Sequence, residues 1–417
     1  MIPPALGSRS RLWRHRDFLL LWGGQTVSRI GDQFTGLAVP YIAVWLLRAG
    51  PAETGILGAA STFPFLIFGL LVGVWADRRE RRKVLIFADL GRGAMLASIA
   101  VLGIAGLLQL PYLYVAAFLI GVLTVFFDVA YQAYLPSIVE RGQLVDANSK
   151  LETSNTLAGT AGPTIAGAVI HVLQAPFAML FDSASFFFSA ATLATIRTRE
   201  PVPKTSPGVS VGAQIVEGLK IVFGDRRLRH IAMCTAWANF FSSMVFSALL
   251  FVLLNQMGFE AVTLGLLFSL ASLGGVLGAL VSAPIAKRIG VGPAIVVGAV
   301  LFGVPMLPLP FVPEGIALPS LSVILGVSFL GNLLYNINQV SFRQAIVPIR
   351  LQGRLNATMR TIVWGTLPLG ALAGGFLGEV IGLRPAILVS VVAGSLSFLW
   401  VLFSPVRDIR EMPESAE

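Results

Sequence analysis

Residues 111–139 decide the fold: their sequence, PYLYVAAFLIGVLTVFFDVAYQAYLPSIV, contains a single charged side chain, Asp128. A bilayer core of roughly 30 Å needs about 20 consecutive apolar residues per helix, and this stretch exceeds that length. Its apolar residues continue without interruption, whereas the strands of a membrane barrel alternate polar and apolar side chains in short segments. The stretch therefore predicts a transmembrane α-helix.

Comparable apolar runs follow one another along the whole chain of 417 residues, which is 55% hydrophobic and 12% charged. A soluble core cannot bury so much apolar surface, so lipid must be the solvent. The sequence predicts an all-α membrane protein with twelve transmembrane helices in two pseudo-symmetric six-helix halves. The predicted spans are 18–47, 54–76, 84–108, 111–139, 153–173, 176–196, 230–257, 262–286, 292–312, 319–347, 361–381 and 384–403.

Lysine and arginine lie mainly in every second connection between these spans. They cluster before the first span, after the second, fourth, eighth and tenth, and throughout 197–229, whereas only Arg48 and Arg384 lie on the opposite side. Short cytoplasmic loops retain such residues. The pattern predicts a multi-pass protein of the inner (plasma) membrane with both termini in the cytoplasm. It also accounts for the net charge of +9 without nucleic acid as a partner.

The longest break between apolar runs is at 197–229, where several prolines precede the pattern of a short amphipathic helix around 214–223. Proline-rich segments of this kind are typical of linkers. We predict an N-terminal six-helix half at 1–196, a cytoplasmic linker with an amphipathic helix at 197–229, and a C-terminal half with a short cytoplasmic tail at 230–417.

The two halves resemble each other in sequence. Sliding one half along the other by 208 positions places Gly162 on Gly370 and Gly167 on Gly375. Paired six-helix halves are typical of transporters that rock around a central binding site. The repeat therefore predicts a transporter.

Residues for metal binding or nucleotide chemistry do not form a recognisable motif. A single cysteine, Cys234, excludes an internal disulfide, and it has no metal-ligand spacing with His15, His171 or His230. Motifs for a P-loop, a zincin, a nucleophile elbow and a dinucleotide fold are also missing from the sequence. We predict no enzyme activity, no cofactor and no metal site, and a proton gradient as the energy source.

The connection between spans two and three resembles a known family. Residues 73–83 read GVWADRRERRK and are similar to the loop signature of the major facilitator superfamily, except that Glu80 stands where the signature has its second glycine. The resemblance implies a cytoplasmic gate at this loop. Its predicted residues are Gly73, Asp77, Arg78, Arg81 and Arg82.

The resemblance also implies how such a gate works. If the halves pack as in the family, Asp77 ends the second helix where the eleventh begins, and its carboxylate meets the unpaired N–H groups of that helix start. Arg81 would then bridge Asp77 to Asp128. The alternative is that the basic cluster only anchors the loop and fixes the topology.

The fifth span contains GTAGPTIAG at 159–167, which looks like the glycine-proline signature of the superfamily's drug/proton antiporters. Proline favours a bend and small residues allow close backbone contact, so both roles are open. The segments 135–149 and 182–186 are similar to the branch that contains macrolide and siderophore exporters. The predicted helix-bend motif consists of Gly159, Gly162, Pro163 and Gly167.

In the family architecture, spans one, four, seven and ten line the central pathway, and polar residues fall on these spans at helical spacing. Polar groups in lipid are costly, so we expect them to face a cavity or each other. Aromatic side chains would add walls suited to an amphipathic molecule, with packing in the core or against lipid as the alternative. The predicted cavity residues are Gln25, Trp22, Phe34, Tyr131, Trp237, Asn239, Asn332, Tyr335, Asn336 and Gln339.

Asp32 lies deep in the first span, one turn after Arg29. Two interpretations are open: an ion pair that only stabilises, or a carboxylate that binds and releases a proton as the cavity opens and closes. A transporter without an ATPase needs another gradient, which favours the second. We predict Asp32, Arg29 and Asp128 as proton-coupling residues. Asp182 lies outside both the polar stripe and the signature cores, and no coupling role is predicted for it.

The sequence thus predicts a monomeric secondary transporter that exports a small amphipathic organic molecule of the drug, macrolide or siderophore class. Proton antiport with alternating access is the predicted mechanism. An uptake transporter or an uncoupled facilitator of the same fold is the alternative, because fold does not set direction and only the glycine-proline signature argues for export.

Overall fold

The structure, a computed structural model, describes residues 12–76, 79–198, 200 and 211–411, and most of these residues are helical. The main helices in chain order are α1 Arg16–Tyr41, α2 Pro51–Ala76, α3 Arg81–Ile104, α4 Leu110–Ile138, α5 Leu144–Leu173, α6 Ala175–Thr195, α7 Val211–Gly224, α8 Arg226–Phe251, α9 Ala261–Ile289, α10 Val291–Gly303, α11 Ala317–Ile346, α12 Ile349–Trp364, α13 Thr366–Ile381 and α14 Leu383–Ser395.

Eleven helical spans within the described residues are long and apolar enough to cross a membrane. Helix α1 adds a twelfth span, which is less apolar because it carries Gln25, Arg29 and Asp32. Helices α12 and α13 together form one span that is interrupted at Gly365. The predicted fold class, an all-helical membrane bundle, is confirmed.

The helices that open the two halves, α1 and α8, end in the same irregular way. Helix α1 continues into a π-helical turn at Ile42–Leu46, and α8 continues into one at Val252–Gln256. At the end of each turn a backbone N–H donates to the carbonyl oxygen five residues earlier, at 2.9 Å in both. A shared deviation of this kind is a structural counterpart of the sequence repeat.

Two connections of the first half also have counterparts in the second. Arg48 and Gln174 adopt φ angles of 57° and 70°, and the matching connections contain Gly258 and Gly382 at 63° and 89°. The left-handed region is strained for side chains other than glycine. The first half therefore makes with arginine and glutamine the turns that the second half makes with glycine.

Two helices begin nine or more residues before their predicted spans. Helix α5 starts at Leu144 rather than at residue 153, and α12 starts at Ile349 rather than at residue 361. The first turns of both helices contain polar residues, such as Asp146 and Arg354. A search for apolar runs therefore finds only the later turns.

The predicted ninth span is shorter as a helix. Helix α10 ends at Gly303, and the residues up to 312 form 3-10 turns at Val304–Met306 and Leu309–Phe311. Prolines in these turns lack the N–H that a continuing α-helix needs.

The bundle has two ends. The terminal side carries residue 12, α7 and residues 405–411, and the distal side carries the short connections after α1, α3, α5, α8, α10 and α13. In the first half α1 packs on α5 and α6, and α4 packs on α2 and α3; the corresponding pairs recur in the second half. The halves meet mainly through α5 against α9 and α2 against α13.

The hydrophobic core is divided differently at the two sides. On the distal side one cluster joins both halves, extending from Leu37 in α1 to Leu264 in α9. On the terminal side, the described residues form one cluster around Tyr134 within the first half and a separate one around Phe342 within the second. The halves are therefore joined at the distal side and packed separately at the terminal side.

Candidate functional site

The contact between α5 and α9 on the distal side, here called the distal seam, places backbone against backbone. A Cβ atom on Gly167 would lie 2.3 Å from the carbonyl oxygen of Ala261, and one on Gly265 would lie 2.2 Å from that of Pro163. Such distances leave room for glycine alone. The close approach closes the distal side by van der Waals contact.

Hydrogen bonds and a second glycine contact reinforce this closure. The backbone N–H and the hydroxyl of Thr164 both donate to the Ser269 hydroxyl, at 3.1 and 2.8 Å. Between α2 and α13, a Cβ on Gly55 would lie 2.8 Å from Cα of Gly375. Both helix pairs that join the halves are thus closely packed on the distal side.

The predicted helix-bend motif contributes to this packing. Pro163 lies inside α5, which is continuous through it, and Gly167 touches α9. A Cβ on Gly162 would meet the Gln33 side chain of α1 at 2.4 Å, whereas Gly159 has open space around it. Three of the four residues are therefore at helix contacts, and Gly159 is not.

A central cavity of about 430 Å³ lies between the halves and is lined by α1, α2, α3 and α4 from the first and by α8 and α13 from the second. Among the described residues, its lining contains no charged side chain and is largely apolar. This central cavity suits an uncharged or weakly polar molecule. Its hydroxyl residues are Thr35, Thr54, Ser61, Thr62, Thr124, Ser243 and Ser247.

Most of these hydroxyls are already hydrogen-bonded. Thr62 donates to the carbonyl oxygen of Gly58 at 2.9 Å, and Thr124 donates to that of Ile120 at 2.8 Å. The hydroxyl of Ser247 has no hydrogen-bond partner in the described structure. A bound molecule with one polar group would satisfy it.

Sequence reasoning missed most of this cavity. It placed the pathway on spans one, four, seven and ten, whereas Thr54, Ser61 and Thr62 come from α2. A hydroxyl that bonds to its own helix carries no charge and is common in membrane helices, so these residues give no distinctive signal. Gly36 and Thr124 do lie on spans one and four, which the sequence assigned to the pathway.

An ion pair between the halves lies close to the central cavity. Asp128 of α4 accepts from the Arg360 guanidinium of α12 at 3.2 Å, and both side chains are about three-quarters buried, with 21% and 27% exposed. The guanidinium also lies 5.0 Å from the ring centre of Trp364 and 5.7 Å from that of Phe65, a cavity residue. Asp128 therefore connects the halves by charge, which the sequence did not reveal.

A second, more polar cavity of about 310 Å³ lies within the C-terminal half. Asn239, Asn332, Tyr335 and Asn336, which the sequence assigns to the central pathway, line this cavity rather than the central one. The amide of Asn336 donates to the Asn332 side chain at 2.6 Å, and that of Asn239 donates to the carbonyl oxygen of Val363 at 3.1 Å. The asparagine side chains in this lining are neutral and form separate hydrogen-bonded pairs.

The ion pair predicted in α1 is present. Arg29 donates to Asp32 at 3.4 Å, and the two side chains remain 40% and 33% exposed. Arg29 borders a small cavity of about 140 Å³ with Gln25 and Tyr131. This pair is long and accessible to water, so either charge can be lost without leaving its partner in an apolar core.

A different pair in α3 is enclosed. Asp89 and Arg92 form an ion pair with at most 6% of either side chain exposed. The Arg92 guanidinium lies between the rings of Phe127 and Phe186, 4.3 and 4.2 Å from their centres. Burial between aromatic rings gives this pair a structural role.

Three aromatic residues and one amide of the predicted cavity lie elsewhere. Phe34 is buried and stacks on Phe181 of α6 at 5.8 Å. The indole N–H of Trp22 donates to Ser154 at 3.0 Å. Trp237 borders a surface groove with Trp400, away from the central cavity. Gln339 is buried and donates to Asn336 at 3.2 Å. None of these four residues lines the central cavity in the described structure, because helical spacing does not fix which face of a helix meets the cavity.

The predicted gate is described in part. Asp77 and Arg78 lie outside the described residues, as does any side-chain contact at Gly73. The backbone N–H groups of Arg81 and Arg82 donate to the carboxylate of Glu200, at 2.9 and 2.7 Å. The bridge from Arg81 to Asp128 is not formed, because Asp128 pairs with Arg360.

Known proteins resemble this chain in sequence and in fold. Residues 21–367 match the family described as Major Facilitator Superfamily. The multidrug efflux pump Tap of Mycolicibacterium fortuitum is 29% identical over 392 residues, which cover 90% of this chain and 94% of that protein. Macrolide efflux protein A of Streptococcus pyogenes is 24% identical over 185 residues, or 43% of this chain and 44% of that protein.

A solved structure of the nucleoside transporter NupG is similar with a TM-score of 0.74. It is 12% identical and covers 93% of this chain and 99% of that one. At this identity the likeness concerns the fold alone.

Proposed function

This chain belongs to the Major Facilitator Superfamily, and we propose that it exports small amphipathic organic molecules of the drug, macrolide or siderophore class in exchange for protons. Its relatives Tap and macrolide efflux protein A are efflux proteins, which supports export as the direction. The chain works as a monomer, because the central cavity is lined by the two halves of one chain.

One observation carries the proposal: an uncharged cavity lies between two halves that share a hydrophobic cluster only at the distal side and meet toward the terminal side through side chains such as Asp128 and Arg360, among the described residues. The distal seam is closed by backbone contacts, while the hydrophobic clusters of the terminal side stay within their own halves. Rocking the halves about the central cavity would close the terminal side and open the distal one. The cavity is then reached from each side in turn.

The terminal side is the cytoplasmic side in this proposal. Positive residues concentrate there, in the connections after α2, α4 and α9 and around α7. Substrate enters from the cytoplasm or the inner leaflet while the distal seam is closed. It leaves after the seam opens to the outside.

Proton coupling is assigned to Asp32 with Arg29. Their 3.4 Å pair is partly exposed, so Asp32 can exchange a proton with water when its side of the protein is open. Protonation would release Arg29, and the charge within α1 would change by one unit during the cycle. Asp128 would influence the relative position of the two halves through its ion pair with Arg360, since that pair joins one half to the other.

Everted membrane vesicles test the proposal directly. A pH gradient, acid inside, should drive accumulation of one or more compounds from a panel of macrolides, lipophilic dyes and siderophores. Nigericin, which collapses the pH gradient, should abolish it, and vesicles without the protein give the background. Entry that stops at equal concentrations inside and outside and is unchanged by nigericin would indicate a facilitator. Proton-driven loss from preloaded vesicles would indicate uptake into cells.

A further inference from the structure

Asp182 of α6 is a fully buried acid outside every ion pair found in the described structure. Its side chain is 0% exposed, and it accepts hydrogen bonds from two hydroxyls, Ser185 at 3.0 Å and Thr35. A buried carboxylate held by neutral donors alone is costly to keep charged. The surroundings of Asp182 therefore suit a carboxyl group that gains and loses a proton better than one that stays charged in a permanent ion pair.

Close packing holds Asp182 against α1. A Cβ on Gly31 would lie 2.4 Å from the Asp182 carboxylate and 2.2 Å from the Ser185 hydroxyl. Thr35, one turn after Gly31, donates its hydroxyl hydrogen to the other carboxylate oxygen of Asp182. The α1 backbone thus positions one threonine hydroxyl on a buried acid.

The same threonine lines the central cavity between the halves. Other cavity threonines, such as Thr62, bond only to the carbonyl oxygen of their own helix. Thr35 is the cavity residue whose hydroxyl bonds to a titratable side chain, among the hydrogen bonds of the described structure. It links Asp182 to whatever occupies the central cavity.

The charged groups that face Asp182 come from the helices packed against α6. Helix α1 brings Asp32 and α3 brings Arg92, and both act on Asp182 electrostatically. Each already has a partner, Arg29 for Asp32 and Asp89 for Arg92. Helix α5 meets α6 at their connection, where His171 pairs with Glu260 of α9 at 3.1 Å, which leaves Asp182 without an ion-pair partner of its own.

We propose that Asp182 and Thr35 form a switch that reverses the hydrogen-bonding character of the central cavity when Asp182 binds a proton. With Asp182 charged, the Thr35 hydrogen points to the carboxylate and the lone pairs of its oxygen remain for a donor in the cavity. With Asp182 protonated, the acid donates to the Thr35 oxygen, and the Thr35 hydrogen turns to the cavity. Hydronium on the open side supplies the proton: one of its O–H bonds breaks and leaves water, one O–H bond forms on Asp182, and the hydrogen bond between Asp182 and Thr35 reverses its direction.

The switch rests on the proposed function and narrows its substrate class. A neutral amphipathic molecule with a hydrogen-bond donor fits the cavity while Asp182 is charged, and it meets a competing donor after protonation. Loading from the terminal side with Asp182 charged, followed by protonation with the distal side open, expels the substrate. Thr35 is thus a specificity residue that responds to the proton.

Two uncharged fluorescent probes with opposite hydrogen-bonding groups test the switch. N-phenyl-1-naphthylamine has one N–H donor, and the naphthyl ketone prodan has an acceptor and no donor. In fluorescence titrations of the protein in nanodiscs, with empty nanodiscs subtracted, acidification should weaken binding of the amine and tighten binding of the ketone. Each dissociation constant should change about three- to tenfold, the range of one net hydrogen bond.

Three variants show which residues cause the pH dependence of the two dissociation constants, here called the slopes. Thr35→Val should remove both, and Asp182→Asn should behave at every pH as the wild type does in acid. Thr62→Val, a matched loss of a hydroxyl at the same cavity, should keep both slopes. If Thr35→Val does not fold, as judged by thermal unfolding, Asp182→Asn alone decides.

Slopes of the same sign for both probes, slopes that survive in Thr35→Val or Asp182→Asn, or no binding of either probe to the wild type would each overturn the switch. The proposed function fails separately. In that case the everted vesicles show no proton-driven transport by the wild type, whatever the probe titrations show.

Discussion

The interface between the two halves is built from different chemistry at its two sides. At the distal seam, glycine backbones of α5 and α9 touch, with Gly167 against Ala261 and Gly265 against Pro163. Farther toward the terminal side, long charged side chains meet instead, as in the pair of Asp128 with Arg360. The α7 helix is held on α12 by an ion pair of Glu217 with Arg354.

This difference indicates at which side more free energy is needed to separate the two halves. A gap of about 0.5–1 Å between close-packed atoms already loses about a quarter to a half of their attraction, so the contacts of the distal seam are expected to separate together. The partly exposed pair of Glu217 with Arg354 exchanges partners for water at a net change of about 0–1 kcal/mol, whereas Asp128 and Arg360 are about three-quarters buried and cost more to separate. The terminal side is therefore held by a few charged contacts, whereas the distal seam must separate over its whole packed surface.

The largest effect is expected from filling the distal seam. Gly167→Ala places a methyl group 2.3 Å from a backbone oxygen, and overpacking of this kind destabilises by about 1–3 kcal/mol. The seam should loosen. Ala49, which is 3% exposed on the distal side, reports this as Ala49→Cys in a Cys234→Ala background, with faster labelling by an impermeant maleimide from outside.

Gly159→Ala is the matched control, because the same change on the same helix meets open space. It should leave labelling and thermal stability unchanged. Equal behaviour of the two variants would show that α5 and α9 do not pack as closely as described.

The next effect concerns the charge contact between halves. Asp128→Asn should weaken the attraction of Arg360 and change the ratio of the two access states about tenfold, or ~1.4 kcal/mol. Distance measurements between spin labels on α5 and α9 would give that ratio. In the double variant with Arg360→Gln, the free-energy change of the access equilibrium should be smaller than the sum of the two single-variant changes. If it equals that sum, the pair does not couple the halves.

A smaller effect is expected at the hydrogen bonds of the distal seam. Ser269→Ala removes the acceptor of both the Thr164 N–H and its hydroxyl. The loss should be about 0.5–1.5 kcal/mol in thermal unfolding, with a modest rise in labelling at Ala49→Cys. Ser272→Ala is the control, since its hydroxyl bonds to the carbonyl oxygen of Ser269 within α9.

The smallest effect is expected at α7. Glu217→Gln removes a partly exposed ion pair with Arg354, worth about 0.2–1 kcal/mol, and should increase proteolysis of the segment before α8 slightly. Lys83→Gln breaks a more exposed pair with Glu80 within the first half and should change nothing. A large loss of transport in Glu217→Gln would contradict the view that such pairs at the terminal side change partners easily.

The sequence allowed prediction of those features that depend on local pattern. Lipid selects long apolar runs, so the twelve spans and their repeat could be recognised, and the spacing of Arg29 and Asp32 brings them together on one helix face. The polar first turns of α5 and α12 were missed because an apolar-run criterion stops where charge begins.

The contacts between helices could not be predicted. Each residue turns a helix face by about 100°, so the pairing of Asp128 with Arg360 or of Asp182 with Thr35 depends on the rotation of every helix in the bundle. The same uncertainty misplaced Phe34 and Trp237, whose aromatic character suits a core, a cavity or a lipid face equally.

Proton-driven export by the double variant Arg29→Gln with Asp32→Asn tests the central claim most directly. Removing both charges leaves neither unpaired, so the protein should fold and bind probe as the wild type does. Coupling through Asp32 predicts passive exchange of substrate across everted vesicles with no accumulation driven by the pH gradient. Full proton-driven accumulation by the double variant would contradict it.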